Sequence, residues 1–91
     1  MKLQVSVDVL SLEQAIKMLL EVAPYVDIIE AGTALIKQEG LKVVETFKKF
    51  FPDKQVFADM KTMDAGGLEA EMAFRANADM TTVLAVSNDA T

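Results

Sequence analysis

Four short apolar runs, each closed by an acid or an acid-containing loop and separated from the next by a helical stretch, restrict this chain to a parallel α/β fold. Leu3 to Val7 alternates Leu and Val with Gln4 and Ser6, a period of two, and stops at Asp8. Val26 to Ile29 is a second run, ending at Glu30, and Gln55 to Ala58 a third, ending at Asp59. Met80 to Val86 is a fourth, rich in Thr and Val, followed by Ser87-Asn88-Asp89. No hairpin signal joins any two of them. Strands separated by helices pair in parallel through right-handed crossovers.

The intervening segments carry helix signals. Ser11 is placed as an N-cap with Gln14 three residues on, a capping-box spacing. Leu12, Ala15, Ile16, Leu19 and Leu20 share one face, Glu13 and Lys17 pair four apart outside it, and Pro24 closes the segment. Gly32 and Thr33 read as a loop. A helix from about Leu41 turns Leu41, Val44, Phe47 and Phe51 inward and places Lys48 and Lys49 in its last turn, where cations suit the helix dipole. Pro52-Asp53 is the turn after it. Gly66-Gly67 leads into a third helix with Leu68, Met72 and Ala76 inward, and Asn77 is placed for a left-handed C-terminal conformation. The order is β-α-β-α-β-α-β. The strand-closing acids recur every 22 to 29 residues, about the period of a (β/α)8 barrel of roughly 250 residues. The expectation is one domain over residues 1–91, a half-barrel of four strands and three helices that stops after its fourth strand. Its uncovered sheet edges predict either the front of a longer polypeptide or an assembly of half-barrels.

Ligands bind at the carboxyl ends of strands in such folds. One acid there is ordinarily a cap or turn residue. Three adjacent strands ending in Asp8, Glu30 and Asp59 bring carboxylates to one rim, where repulsion is costly unless a cation sits among them. The chain has no cysteine and no histidine. That removes thiolate or imidazole zinc sites and Ser-His-Asp catalysis from this segment, and leaves Mg²⁺ as the metal suited to hard oxygen ligands. Lys61 lies two residues past Asp59, so continued strand geometry points both side chains to one face, where the ammonium can stabilise a developing enediolate or relay a proton. Asp64 reads either as an N-cap for the helix containing Leu68 or as a site residue. The net charge of −5 argues against nucleic acid. No apolar run approaches the roughly 20 residues a membrane span needs, and nothing resembles a signal peptide. A soluble, cytoplasmic protein is expected.

The spacing Asp59-x-Lys61-x-x-Asp64, set after a third barrel strand, resembles the signature of the orotidine 5′-monophosphate decarboxylase suprafamily. The context extends the resemblance: Leu3-Gln4-Val5-Ser6-Val7-Asp8, then Glu30-Ala31-Gly32-Thr33, then Asp59-Met60-Lys61-Thr62-Met63-Asp64-Ala65-Gly66. Glu30 with Gly32-Thr33 looks like the branch of hexulose-phosphate synthases and keto-gulonate-phosphate decarboxylases, and the stretch around Lys61 looks like the synthases. The resemblance covers the whole chain and about half of the family's length.

It implies that Glu30 and Asp59 hold Mg²⁺, that Asp8 and Lys61 orient and stabilise the reacting diol, and that Asp64 reaches the active site of a partner subunit in a homodimer. The implied reaction is a formaldehyde aldolase (aldehyde-lyase) step, addition of formaldehyde to D-ribulose 5-phosphate. The alternatives are decarboxylation of 3-keto-L-gulonate 6-phosphate and a non-catalytic, self-associating half-barrel. The family's catalytic histidine and phosphate-binding loops belong to later strands. Ala34 stands where proline is common, Ala85 where the fourth strand usually has glycine, and Asn88 where an acid is usual.

Overall fold

The computed structural model describes residues 1–84. The elements run β1 (Gln4–Val7), α1 (Leu12–Val22), a one-turn 3-10 helix (Ala23–Tyr25), β2 (Ile28–Ala31), α2 (Thr33–Glu39), α3 (Lys42–Phe50), β3 (Gln55–Thr62), α4 (Gly66–Arg75) and β4 (Met80–Val83). All adjacent strands pair in parallel in the order β1-β2-β3-β4. Sequential order with right-handed crossovers puts every helix on one side of the sheet. The burial pattern agrees: Val7, Ile29, Ala31, Val56 and Ala58 are fully buried on the helix-covered face. They meet Ala15, Leu19, Leu35, Val43, Val44, Phe47 and Ala73 from the helices. Phe47 is the largest fully buried side chain.

Local chemistry explains most boundaries. The Ser11 hydroxyl accepts the Gln14 N–H at 3.1 Å and caps α1, and the Glu13–Lys17 pair forms at 3.6 Å on its exposed side. Pro24 lies in the 3-10 turn that ends this helical segment. Asn77 has φ 73, the left-handed conformation expected after the last helix.

Several expectations are corrected. Gly32 and Thr33 are not a loop: Gly32 is the N-cap of α2, and Ile36 N–H bonds to its carbonyl at 3.0 Å. The segment between β2 and β3 therefore holds two helices, four α-helices being described instead of three. They part at Gly40, whose φ of 81 no other residue type adopts easily. α2 has seven residues and buries only Leu35 and Ile36, too little for a helical period to show. In α4 the inward residues are Gly66 and Ala73, and Ala76 at its C-cap is buried as expected, whereas Leu68 and Met72 are 62% and 45% exposed. Small side chains let this helix lie close to the sheet. Leu20 in α1 likewise faces outward. β3 runs on to Thr62, and the described part of β4 ends at Val83. Ala85, Val86 and Asn88-Asp89 lie outside the described residues. Among the described residues no helix is long and apolar enough to cross a membrane.

The foot of the sheet is held by the aspartates that precede strands. Asp27 Oδ2 accepts the Leu3 N–H at 3.0 Å ahead of β1. Asp79 Oδ2 accepts both the Val56 N–H of β3 and the Lys48 ammonium of α3, each at 2.8 Å. Burial acts to raise the Asp79 carboxyl, but these two donors hold it below the usual aspartate range. An aspartate lowered in the folded state contributes stability above its ordinary pKa and loses it as pH falls through the lowered value. Asp79→Ala is therefore expected to cost about 1 kcal/mol at pH 7, a figure discounted for solvent screening. Urea unfolding should show that difference shrinking toward zero as the pH is brought down through the carboxylate range.

Candidate active site

Row by row, the ladder pairs Ser6 with Glu30, Glu30 with Phe57, and Phe57 with Met80. The next row, Val7, Ala31, Ala58 and Thr81, faces the helices. One step further along, at the carboxyl ends of the strands, the uncovered face carries Asp8, Gly32, Asp59 and Thr82. Strand parity thus delivers Asp8, Glu30 and Asp59 to one side of one rim, as the sequence predicts.

Gly32 creates the space between them. A Cβ at this position would collide with Asp8 Oδ1 and lie 2.5 Å from the Val7 carbonyl oxygen. Its backbone φ of −66 is ordinary, so glycine is needed here for room and not for conformation.

Glu30 receives a hydrogen bond from Gln4 Nε2 at 2.7 Å and another from the Ser6 hydroxyl. Burial first, then the charges of Asp59 and Asp8, push its carboxyl above the usual glutamate range, against the Ser6 bond and the Lys61 charge. Asp59 differs. Burial also acts to raise it, but the Lys61 ammonium on Oδ2 at 2.6 Å and the Thr82 hydroxyl on Oδ1 at 2.7 Å hold it below its usual range. Its side chain is only 15% exposed. Lys61 is raised in turn, chiefly by its hydrogen bond to Asp59 and, against some desolvation, by the charges of Asp59, Glu30 and Asp8. It is therefore held as an ammonium. A Schiff base requires the neutral amine, so this lysine is suited to act as a fixed cation.

Lys61 does not reach Asp59 by continued strand geometry. Its φ is 48, left-handed, and between the pairs Ala58–Thr81 and Thr62–Val83 four steps of β3 oppose two of β4. This irregularity turns the ammonium back onto Asp59 and onto Thr33 Oγ1 at 3.0 Å. The Thr33 hydroxyl donates to the Asp59 carbonyl at 2.6 Å. The predicted proximity holds, through a different backbone path.

Asp64 stands outside this cluster. It is exposed in the loop between β3 and α4, where its Oδ1 accepts the Ala65 N–H at 2.8 Å. Ala65 takes the N-cap position in the left-handed region, so Asp64 is not the cap of α4. Four residues of the site were given no role there by the sequence alone: Gln4, Ser6, Thr82 and Thr33, the last noted only as part of the Glu30-Ala31-Gly32-Thr33 stretch. Only the pairing of Ser6 with Glu30 and the position of Thr82 beside the β3 irregularity bring them to the acids.

As donors, Glu30 and Asp59 offer hard carboxylate oxygens from adjacent strands. Among the described residues no three acids converge on one point able to hold a metal.

A family model described as orotidine 5′-phosphate decarboxylase / HUMPS matches residues 1–91, the whole chain. The chain belongs to that family. It is 60% identical over 91 residues to the 3-hexulose-6-phosphate synthase of Mycobacterium gastri, covering all of this chain and 44% of the relative. A crystal structure of 3-hexulose-6-phosphate synthase superposes with a TM-score of 0.97 at 61% identity, covering 99% of this chain and 44% of that one. A 3-keto-L-gulonate-6-phosphate decarboxylase from Vibrio cholerae gives a TM-score of 0.88 at 41% identity, covering 90% of this chain and 38% of that one. The chain spans less than half the length of the curated relatives it matches. Its fold is that of half a (β/α)8 barrel.

The raised Glu30 carboxyl sets a stability test. An acid raised in the folded state favours folding below its ordinary pKa, and that contribution is lost as pH rises through the raised value. At neutral pH the ionised Glu30 therefore opposes folding of the metal-free protein. Glu30→Gln is expected to raise the melting temperature at pH 7 in chelator-treated buffer, with the gain disappearing near pH 4. A lower melting temperature for the variant at pH 7 would refute the electrostatic account.

Proposed function

We propose that this chain supplies the acid- and lysine-bearing half of a 3-hexulose-6-phosphate synthase, a formaldehyde aldolase acting on D-ribulose 5-phosphate. The observation that carries the reading is Lys61, held as an ammonium by Asp59 and facing Glu30 and Asp8 at the strand ends. The relatives' names at high identity support the choice of reaction. The decarboxylase reading has the weaker structural likeness.

In the proposed reaction a C1 proton leaves ribulose 5-phosphate to give the 1,2-enediolate. C1 then attacks the formaldehyde carbon, and the former aldehyde oxygen takes up a proton to give D-arabino-hex-3-ulose 6-phosphate. Glu30 and Asp59 would hold Mg²⁺, which when bound supplies Lewis acidity to the vicinal oxygens of the sugar. Lys61 places a fixed positive charge where the enediolate oxygen gains negative charge, and it makes no covalent bond. Asp8, beside the Cβ-free Gly32, orients the diol by accepting a hydroxyl proton in a hydrogen bond. Asp64, exposed and outside this cluster, is free to serve the site of a second subunit in a homodimer. Proton transfer and phosphate binding fall to residues beyond this chain, which contains no histidine. An acidic protein with a small-molecule site fits a cytoplasmic enzyme with no nucleic-acid partner.

The test is formaldehyde-dependent consumption of ribulose 5-phosphate by the full-length protein carrying this chain, with 3-keto-L-gulonate 6-phosphate as the competing substrate. Turnover of the latter alone would replace the synthase by the decarboxylase. Asp59→Asn is expected to abolish Mg²⁺-dependent turnover while the circular dichroism stays native. Lys61→Ala should lower kcat by roughly 100-fold or more with little change in Mg²⁺ affinity measured by calorimetry. Near-complete recovery in Lys61→Arg would reduce the lysine to a general counter-charge and remove its assigned role.

A further inference from the structure

The reactive ammonium is presented by an unusual piece of backbone, and one side chain from the neighbouring strand spans it. Lys61 occupies the left-handed region at φ 48, and the β3–β4 ladder breaks there. In an unbroken ladder a strand N–H bonds to a carbonyl of the next strand. Here the Lys61 N–H bonds to the Thr82 hydroxyl, at 3.1 Å. The same hydroxyl donates its proton to Asp59 Oδ1 at 2.7 Å. One oxygen therefore closes a loop. It holds the backbone that aims Lys61, and it occupies the Asp59 oxygen that the ammonium leaves free.

Resting on the synthase reading, we infer that Thr82 is a positioning residue, which fixes Asp59 and Lys61 in one arrangement before substrate arrives. Without the hydroxyl, the Lys61 N–H loses its partner and Asp59 Oδ1 loses a donor. The left-handed backbone is then released to more ordinary conformations. The carboxylate can rotate about its terminal torsion, taking the ammonium with it. Small displacements of a catalytic cation cost rate more than they cost substrate binding. The Thr82 hydroxyl is committed on both sides, accepting from the Lys61 N–H and donating to Asp59 Oδ1.

The experiment compares Thr82→Val, Thr82→Ser and the parent full-length protein. Valine keeps the branched shape and strand propensity of threonine but cannot hydrogen-bond. Serine keeps the hydroxyl without the methyl. Thr82→Val is expected to lower kcat by roughly 10- to 100-fold with the KM for ribulose 5-phosphate changed by less than about threefold. Thr82→Ser should stay within about threefold of the parent in both. In the metal-free protein, hydrogen exchange of the Lys61 amide should accelerate about tenfold or more in Thr82→Val and stay parent-like in Thr82→Ser. Should the valine variant not fold, Thr82→Ala supplies the same deletion. Parent-like kcat or parent-like Lys61 exchange in the hydroxyl-free variant overturns the inference. So does a serine variant as impaired as the valine one, which would assign the effect to methyl packing. An inactive parent protein would instead sink the synthase reading, while the exchange measurement still decides whether Thr82 holds Lys61.

Discussion

In a parallel sheet with helices on one face, the side chains that point to the helices must be apolar, and the residues between them point to the opposite face. Here Val7, Ile29, Ala31, Val56 and Ala58 meet that demand and form the core with Phe47, Leu19 and the two valines of α3. The intervening positions, Gln4, Ser6, Glu30, Phe57 and Asp59, lie on the other face. The same period of two therefore puts the packed residues on one side and the strand-end acids on the other. A one-residue slip of β3 would bury Asp59 among the helices and expose Val56.

The rim that results is electrostatically uneven. Asp59 has its charge satisfied by Lys61 and Thr82, whereas Glu30 is left with two amide and hydroxyl donors against burial and two neighbouring carboxylates. In the proposed reading, a cation bound beside Glu30 would relieve that imbalance. At the opposite end of the sheet Asp27 and Asp79 show what ordinary structural aspartates do. Each accepts a backbone N–H near the start of a neighbouring strand, and Asp79 adds an ion pair to α3.

Much of this was legible in the residues. The strand alternation, the Ser11 cap, the left-handed Asn77 and the placing of Asp8, Glu30 and Asp59 at strand ends on one face all follow from local spacing. What was misread lacked a local signal. α2 is about two turns long and buries two side chains, so no period could reveal it. The exposed faces of Leu68, Met72 and Leu20 look apolar and inward in sequence, but Ala73 and Ala76 set how α4 sits on the sheet.

By itself the sequence determined which residues stand at strand ends and on which face, because side-chain direction along a strand depends only on counting. It also determined the donor chemistry, hard oxygens and one ammonium with no imidazole or thiolate. Tertiary structure alone decided how those groups are held. The ladder irregularity that turns Lys61 back onto Asp59 exists only where β3 pairs with β4. The contacts of Thr82 with Asp59 and Lys61, and of Gln4 with Glu30, join residues 21 to 26 positions apart. Such bonds depend on strand register, and register is a property of the assembled sheet that no single strand carries.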